Sequence, residues 1–317
     1  MKNTKSAKIF VAGCTGFLGK RVIKRLKRDR YNFVGTAKSL GVDFREKNQL
    51  EKYFSKEKPD IVINCATFIG GIKFGLDYMG QIFYDNVLIN TYLIDCARKY
   101  NVKRFINPIS NCSYPDAVDK DFREEEWWDG PLNPTVLTYG FVKKGTWVQS
   151  YAYNKQYGLD FVNLLIPNMY GPGDHFDEVR SHALGALIKK IVSAKENNLP
   201  EVIVWGSGKP IREWLYIDDC VEIFIKSLSI NPILEPINIG QGVGISIKDL
   251  AYMIKKIVGY NGKLIFDLSK PDGAPYKIGN VNRMKKIFKW TPKTKLEDGV
   301  QKTIRWYYRN IIKKKNI

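Results

Sequence analysis

The stretch Lys-Ile-Phe-Val-Ala-Gly-Cys-Thr-Gly-Phe-Leu-Gly, residues 8–19, decides the fold of this 317-residue chain. Its first part is short, apolar and rich in strand-forming residues, which predicts a buried strand. Gly13, Gly16 and Gly19 follow with the spacing G-x-x-G-x-x-G, and an apolar stripe among lysines and arginines then predicts a helix. Glycines between a strand and a helix allow a tight turn and let a pyrophosphate approach the helix N-terminus. The stretch therefore predicts a dinucleotide site rather than a purely structural glycine turn.

The end of the second predicted strand favours NADP(H) as the dinucleotide. Enzymes that use NAD usually carry a carboxylate here for the ribose hydroxyl, but Thr-Ala-Lys at 36–38 has none. Lys38 would meet the additional phosphate of NADP, although a solvated lysine is the alternative. Asp43 would accept the adenine amino group, with a simple turn aspartate as the alternative. Phe17 and Leu18, which lie between two of the glycines, belong to the same predicted cofactor site.

Strands alternate with helices from the start of the chain, which is typical of a parallel, doubly wound α/β sheet of the Rossmann type. After Pro172 the alternation is less regular, which favours a smaller C-terminal α/β region covering the mouth of the sheet. Pro108 is expected to mark a strand end, because proline is disfavoured inside a central strand. Further strands are predicted over 32–36, 60–66, 103–109 and 161–166, and helices over 81–99, 139–157, 182–194, 219–228 and 246–258.

We therefore expect two domains. Residues 1–170 would form the NADP-binding domain, to which a segment near 213–240 returns, and residues 171–212 with 241–317 would form the substrate-binding domain. No stretch of about 18 apolar residues exists, so the sequence predicts no membrane span. The five cysteines are an odd number without metal-ligand spacing. They predict no metal site and favour a reducing, cytoplasmic environment.

The chain is strongly basic, with a formal net charge of 51 − 32 = +19 at pH 7. This balance is compatible with nucleic-acid binding or with a lysine-rich, solvated surface. The basic residues are spread along the chain and form no arginine-rich or aromatic-basic motif, so we expect no nucleic-acid partner. A positive field still favours anionic ligands such as NADPH and a nucleotide sugar.

A second group of residues predicts redox chemistry. Tyr139 and Lys143 lie four residues apart in a predicted helix and share one of its faces, and Ser110 ends a predicted strand before them. Reduction of a ketone leaves an alkoxide, which Tyr139 would protonate if the ammonium group of Lys143 lowers the tyrosine pKa. Ser110 would hydrogen-bond the same carbonyl oxygen. A core tyrosine, a surface lysine and a capping serine are the alternatives for each residue alone.

These motifs together resemble the extended short-chain dehydrogenase/reductase family, and within it the GDP-L-fucose synthase branch. The similarity covers nearly the whole chain, and its motifs are more specific than the glycine spacing. They are Ile-Gly-Gly-Ile at 69–72, Ser-Asn-Cys-Ser-Tyr-Pro at 110–115, Tyr-x-x-x-Lys at 139–143, Asn-Met-Tyr-Gly-Pro at 168–172, Arg-Ser-His at 180–182, Val-Trp-Gly-Ser-Gly at 204–208 with Arg212, and Ser-Lys-Pro-Asp-Gly at 269–273.

The resemblance implies epimerisation in addition to reduction. The family uses a cysteine two residues after the catalytic serine and a histidine at a Ser-His helix start, and Cys112 and His182 occupy these positions. A C4 ketone acidifies the protons at C3 and C5, so one group removes a proton from one face and another returns it to the opposite face. Thiol and imidazole have ordinary pKa values of about 8.5 and 6.5, which suit both tasks. The implied substrate is a GDP-linked 4-keto-6-deoxy sugar.

The resemblance also implies which residues hold the nucleotide. Trp205 corresponds to a tryptophan on the guanine side, and Arg212 to a diphosphate-binding arginine whose fork donates two parallel bonds. A core tryptophan and a surface arginine are the alternatives. Lys277 would add a phosphate contact, and Asn168 and Lys190 complete the expected substrate site. The resemblance further implies a homodimer with helices packed between the subunits.

Departures from the family pattern leave the sugar open. Phe68 stands where the fucose synthases usually have a lysine, Lys190 replaces an arginine, and Tyr276 falls where a basic residue is common. The same chemistry on another GDP-4-keto sugar, such as a 6-deoxy-heptose, is therefore one alternative. A 3,5-epimerase without net reduction is a second. A redox-sensing regulator without catalysis is a third, but it predicts loss of Ser110, Tyr139 or Lys143, and all three are present.

Overall fold

The computed structural model describes residues 4–116, 120–177 and 179–313. A sheet of six parallel strands lies at its centre, in the order β2-β1-β3-β4-β5-β9. The strands β1 and β3 are short, mainly apolar runs that are buried along their whole length, as strands covered by helices on both faces must be. The six strands are β1 (Ile9–Ala12), β2 (Phe33–Thr36), β3 (Ile61–Asn64), β4 (Arg104–Ser110), β5 (Asp160–Ile166) and β9 (Ile233–Asn238).

Helices cover both faces of this sheet. On one face, Val22 of α1 packs in the same core as Phe224 of α7. On the other face, Phe54 of α2 and Leu93 of α4 pack against Phe10 of the central strand β1. The helices that flank the sheet are α1 (Phe17–Arg28), α2 (Lys47–Glu57), α3 (Ile72–Asp77), α4 (Met79–Lys99), α5 (Leu137–Tyr157), α7 (Ile217–Lys226) and α9 (Asn282–Phe288).

A second region of the chain packs around its own core. Leu187 and Ile191 of one helix meet Leu250 and Ile254 of another, beside two small sheets. One sheet is centred on β8, which pairs with β6, β10 and β12, and the other pairs β7 with β11. The elements are β6 (Asn168–Tyr170), β7 (Glu201–Trp205), β8 (Ile211–Tyr216), β10 (Gly244–Ser246), β11 (Lys263–Asp267), β12 (Tyr276–Lys277), α6 (Ala183–Glu196), α8 (Ile247–Val258) and α10 (Leu296–Tyr307).

Pro108 does not end its strand, contrary to expectation. It lies inside β4 and pairs with Leu164 of β5, and the strand continues to Ser110. On the other side of β4, the pairing with β3 stops at Ile106, so no neighbouring strand needs an N–H group from residue 108 there. The strand therefore carries Ser110 to the carboxyl edge of the sheet.

The other predicted strands and helices are present with shifts of one or two residues at their ends. The sequence interpretation did not include helix α2, whose buried side chains are only Leu50 and Phe54. No helix among residues 4–116, 120–177 and 179–313 is long and apolar enough to cross a membrane.

Candidate active site

The glycine turn after β1 forms a cradle that only glycine fits. Gly13 has φ +74°, and a Cβ atom there would lie 2.8 Å from the backbone of Ala66. A Cβ atom on Gly19 would lie 2.2 Å from the carbonyl oxygen of Gly13. The first turn of α1 therefore packs directly on the loop, and the backbone is open to a close ligand. These residues fit a dinucleotide pyrophosphate.

The N-terminus of α1 adds the positive end of a helix dipole to this cradle. Gly16 caps the helix without a side-chain hydrogen bond, and its first turn contains no acidic residue. The first N–H groups of a helix have no partner within the helix, and they carry partial positive charge. Phe17, Leu18 and Gly19, which form this first turn, thus lie where the sequence predicted an anion site.

The residues expected at the adenosine end lie after β2. The Nζ atom of Lys38 is 3.4 Å from the carboxylate of Asp43, and 71% of the lysine side chain is exposed. Arg45, which sequence reasoning missed, donates from Nε to Asp43 at 2.9 Å and from Nη1 to Asp85 at 3.0 Å. This hydrogen bonding by Arg45 lowers the pKa of the Asp43 carboxyl. Asp43 shares its oxygens between Arg45 and Lys38, and its Oδ1 also accepts the backbone N–H of Arg45 at 3.0 Å, as a turn aspartate does.

Two cavities meet at the carboxyl edge of the sheet. The smaller, of about 250 Å³, is lined by Phe17, Leu18 and Lys143 among others, and it continues the glycine cradle. The larger, of about 610 Å³, extends toward the second region of the chain. The predicted residues that line both cavities are Ser110, Tyr139, Asn168 and His182, and those that line only the larger are Cys112, Lys190, Trp205, Arg212 and Lys277.

Helix α5 holds Tyr139 and Lys143 at the junction of the cavities. The Lys143 ammonium is buried and donates to the carbonyl oxygen of Pro108 at 3.0 Å. Its Nζ atom lies 5.3 Å from the centre of the Tyr139 ring. Burial lowers the pKa of Lys143 to about 8. The helix thus presents a phenol and an ammonium group on one face, as their spacing predicted.

The structure does not support the expected lowering of the Tyr139 pKa. Burial raises the pKa of the phenol, and a hydrogen bond between the Thr67 and Tyr139 hydroxyls opposes this rise. The Tyr139 oxygen lies 3.3 Å from the Thr67 hydroxyl. The Lys143 ammonium is directed to the carbonyl of Pro108 instead, so the cost of removing the phenolate from water dominates. Thr67 is therefore a neighbour of the acid that its sequence position did not reveal.

Ser110 and Cys112 lie on the turn that follows β4. The backbone N–H of Cys112 donates to the Ser110 hydroxyl at 3.3 Å. Burial raises the pKa of the Cys112 thiol, while a hydrogen bond with Ser110 and the charges of Lys277 and Lys143 oppose this rise. The thiol is free and half-buried, so it is open to a ligand. One short turn therefore supplies groups to both cavities.

His182 comes from a separate part of the chain, at the N-terminus of α6. It occupies the N-cap position, but its side chain makes no capping hydrogen bond. Burial lowers the pKa of its imidazole, so the neutral form dominates at pH 7. A neutral imidazole that is not needed as a cap is available to accept or return a proton.

Two cations, Lys277 and Arg212, line the larger cavity. Lys277 is buried and donates to the carbonyl oxygens of Tyr114 and Pro115 at 3.1 and 3.0 Å. Burial lowers its pKa to about 8. Arg212 donates to its neighbour Ile211 at 2.9 Å, and burial lowers its pKa to about 10. Both side chains therefore carry poorly solvated charge that an anionic ligand would neutralise.

The outer end of this cavity is aromatic and basic. Trp205 is 46% exposed, and the Nζ atom of Lys190 lies 5.3 Å from its ring centre. The Nζ atom of Lys190 also donates to the Ile203 carbonyl at 2.9 Å. Deeper in the cavity, the Asn168 amide donates to the Glu213 carbonyl at 3.3 Å. An exposed indole beside a lysine offers a stacking face for a base, which favours the expected role of Trp205 over a core tryptophan.

Comparisons with known proteins agree with this geometry. Residues 9–240 match the model of the NAD dependent epimerase/dehydratase family. The chain belongs to this family. The family takes a nicotinamide dinucleotide, which the glycine cradle and α1 fit, and the expected Rossmann-type sheet is confirmed by the six parallel strands.

Relatives within the family are similar over nearly their whole length. The putative GDP-L-fucose synthase 2 of Arabidopsis thaliana is 35% identical over 311 residues, which cover 98% of this chain and 94% of the plant protein. A GDP-6-OMe-4-keto-L-xylo-heptose reductase from C. jejuni superposes with a TM-score of 0.91 at 27% identity, covering 97% of this chain and 99% of that chain. A GDP-L-fucose synthetase from Naegleria fowleri bound to NADP superposes with a TM-score of 0.86 at 27% identity, covering 97% and 94%.

Proposed function

We propose that the protein is an NADPH-dependent epimerase and reductase that converts GDP-4-keto-6-deoxy-D-mannose to GDP-L-fucose. One observation carries the proposal: the cofactor-side and ligand-side cavities share Ser110, Tyr139 and His182, and Cys112 lies on the ligand side. A sugar bound there has its ring between two proton-transfer groups while its ketone faces the redox pair. The GDP-L-fucose synthase relatives supply the substrate of the proposal.

Epimerisation is the first task of this site. The C4 ketone stabilises the enolate that forms when a proton leaves C3 or C5. Cys112, whose pKa burial raises against the opposing charges of Lys277 and Lys143, would remove the proton, and His182, which lines the same cavity, would return one. The two groups come from the β4 turn and from the start of α6, so they approach the sugar ring from different elements. We propose that they reach opposite faces of the ring, so that the configuration inverts at each carbon.

Reduction at C4 is the second task. NADPH, when bound in the glycine cradle, supplies the hydride. Ser110 donates a hydrogen bond to the C4 oxygen, and Tyr139 donates the proton that converts the alkoxide to the alcohol. Lys143, held by the Pro108 carbonyl, stabilises the phenolate that remains. Burial of Tyr139 keeps the phenol protonated until charge develops on the substrate oxygen.

The nucleotide end of the site selects a purine diphosphate. Arg212 and Lys277 would bind the two phosphates, and Trp205 would stack on guanine with Lys190 beside it. The preference for NADPH over NADH rests on the exposed Lys38 and on the absence of an acid in 36–38. Asp43, which Arg45 holds by hydrogen bonds, would accept the adenine amino group.

A second candidate is the same reaction on a GDP-4-keto-heptose. The high structural similarity to a heptose reductase favours it, as does Phe68, which replaces the lysine usual in fucose synthases. Competition between GDP-4-keto-6-deoxy-mannose and the corresponding 6-deoxy-heptose, with NADPH oxidation as readout, distinguishes the two. A higher kcat/KM for the deoxy-mannose supports the main proposal, and a higher value for the heptose replaces it. Proton exchange without NADPH oxidation would indicate an epimerase only.

We also propose a homodimer formed by α4 and α5. Phe83 and Phe141, one from each helix, stack at 6.4 Å although they are 41% and 56% exposed. Exposed aromatic rings on two neighbouring helices are typical of an interface. Light scattering should give the mass of two chains for the wild type and of one chain for Phe83→Glu with Phe141→Glu. A wild-type monomer would rule out the dimer.

The expected domain division and cellular location belong to the same proposal. The segment near 213–240 contains β9, which extends the central sheet, and this supports its return to the cofactor domain 1–170. Residues 171–212 and 241–317 carry Trp205, Arg212 and Lys277 and would form the GDP-sugar domain. All five cysteines are free, which fits a reducing cytoplasm.

A further inference from the structure

The segment that delivers His182 to the site contains neither helix nor strand among its described residues. It runs from Gly171 to Ser181, after β6 and before α6. The His182 side chain makes no capping bond that would fix it. A proton-transfer group must be held accurately to act, so the packing of this segment decides where the imidazole lies.

Gly71 supports one end of the segment. Its backbone N–H donates to the carbonyl oxygen of Arg180 at 3.2 Å. A Cβ atom on Gly71 would lie 2.4 Å from the carbonyl oxygen of Ser181 and 3.8 Å from the Cα atom of His182. Both of its neighbours there are backbone atoms, so a side chain cannot be accommodated by a rotamer change. Any substitution at residue 71 pushes directly on the backbone next to His182.

Gly185 supports the other end. It lies in the first turn of α6, where a Cβ atom would lie 2.6 Å from the carbonyl oxygen of His175. A glycine inside a helix is less stable than an alanine at the same position. Close packing against the His175 backbone explains why glycine occupies this position despite that cost.

A cation–π cluster joins the same two segments, those that contain Gly71 and Arg180. The Arg180 guanidinium lies 5.9 Å from the Phe68 ring centre and 5.8 Å from that of Phe74. The two rings meet edge to face at 5.1 Å. The cluster joins the segment before α3 to the residues that precede His182, and Phe68 is the departure from the family pattern noted above.

We propose that the close backbone contacts of Gly71 and Gly185, together called the grip, position His182 for proton transfer. The contact of Arg180 with the Phe68 and Phe74 rings stabilises the grip. The inference deepens the proposed function, because it rests on His182 as a proton-transfer group. Both glycines are positioning residues that act through backbone atoms of His175, Ser181 and His182. The grip is separate from the redox pair, since Tyr139 and Lys143 are carried by α5.

Alanine substitutions test the grip with matched controls. Gly71→Ala and Gly185→Ala should each reduce C3/C5 proton exchange at least about tenfold, and by a larger factor than they reduce NADPH oxidation. Gly80→Ala and Gly145→Ala are the controls, because a Cβ atom there has nothing within 4 Å. Since they lie on α4 and α5, light scattering must show that both controls keep the wild-type mass. Arg180→Ala, which changes no backbone packing, should reduce exchange more weakly. Equal exchange in Gly71→Ala, Gly185→Ala and the controls would overturn the proposal.

A second readout does not depend on turnover. The chain has only two histidines, so the His182 imidazole can be assigned by NMR with His175→Asn as reference. In Gly71→Ala the His182 pKa should rise toward its ordinary value, because the displaced segment exposes the ring. An unchanged titration curve in a variant that still binds NADPH would overturn the grip. If wild-type protein exchanges no sugar protons, the proposed function fails, whereas the titration still tests the grip.

Discussion

The redox half of the site and the epimerisation half are built in different ways. Ser110, Tyr139 and Lys143 lie on the end of one strand and on one helix that packs beside it. Cys112 and His182 lie on a short turn and at the end of an irregular segment, where separate parts of the chain come together. The redox geometry therefore follows from regular secondary structure, whereas the epimerisation geometry depends on packing between loops.

Each half contains one buried ammonium group of similar character. Lys143 donates to a β4 carbonyl, and Lys277 donates to the carbonyls that follow Cys112. Burial lowers the pKa of both lysines to about 8. Lys277 places a poorly screened charge near the thiol, whereas Lys143 is directed to the Pro108 carbonyl and lies 5.3 Å from the centre of the phenol ring.

The largest effect is expected from a substitution in the redox pair, which should impair reduction and leave epimerisation close to normal. Tyr139→Phe should lower the rate of NADPH oxidation by about 10²–10⁴-fold, because the proton for the C4 alkoxide is lost. C3/C5 exchange into heavy water should persist at a rate close to wild type. Tyr151→Phe, on an exposed position of the same helix, is the matched control. Normal reduction by Tyr139→Phe would show that the role assignment is wrong.

The reciprocal variants test the other half. Cys112→Ser and His182→Asn should each suppress proton exchange by about 10²-fold or more and affect reduction less, since each removes one proton-transfer group. Exchange is measured by NMR of the sugar, and reduction by NADPH absorbance in the same sample. If both activities fell by the same factor in both variants, the two halves would not be separable.

A substitution at the adenosine end of the cofactor site should have a smaller effect. Lys38→Ala should raise the NADPH Kd about tenfold, equivalent to about 1.4 kcal/mol, and leave the NADH Kd unchanged. The reason is that only NADPH carries the phosphate that Lys38 would meet. Lys27→Ala, which removes a charge at the other end of α1, is the control. An equal rise in the Kd of both cofactors would show that Lys38 does not contact the phosphate.

A pH experiment compares the two buried lysines. Between about pH 8 and the ordinary pKa of 10.5, the unfolded chain keeps a proton that folded Lys277 has lost, so the free energy of unfolding rises with pH. Lys277→Met should remove the contribution of Lys277 to this rise, about 1–3 kcal/mol, and leave the contribution of Lys143 unchanged. Urea unfolding across this range measures the difference between the two proteins. Parallel pH profiles would contradict the lowered pKa.

The sequence predicted most of the sheet, because its strands are short apolar runs between turn residues. It also predicted Tyr139 and Lys143, because helical spacing alone brings them together. Pro108 was misjudged because its effect depends on where the neighbouring strand ends. Thr67 and Arg45 were missed because their contacts join residues that are distant in the sequence. Loop packing of this kind has no periodic pattern, so Cys112 and His182 were found only through family resemblance.

The most direct test of the central claim uses both halves in one reaction. GDP-4-keto-6-deoxy-mannose and NADPH are incubated with the protein in heavy water, and the product sugar is identified by NMR. We predict GDP-L-fucose carrying deuterium at C3 and C5. A reduced sugar without deuterium at these carbons and without inversion would contradict the account, because Cys112 and His182 would then be bystanders beside a simple reductase.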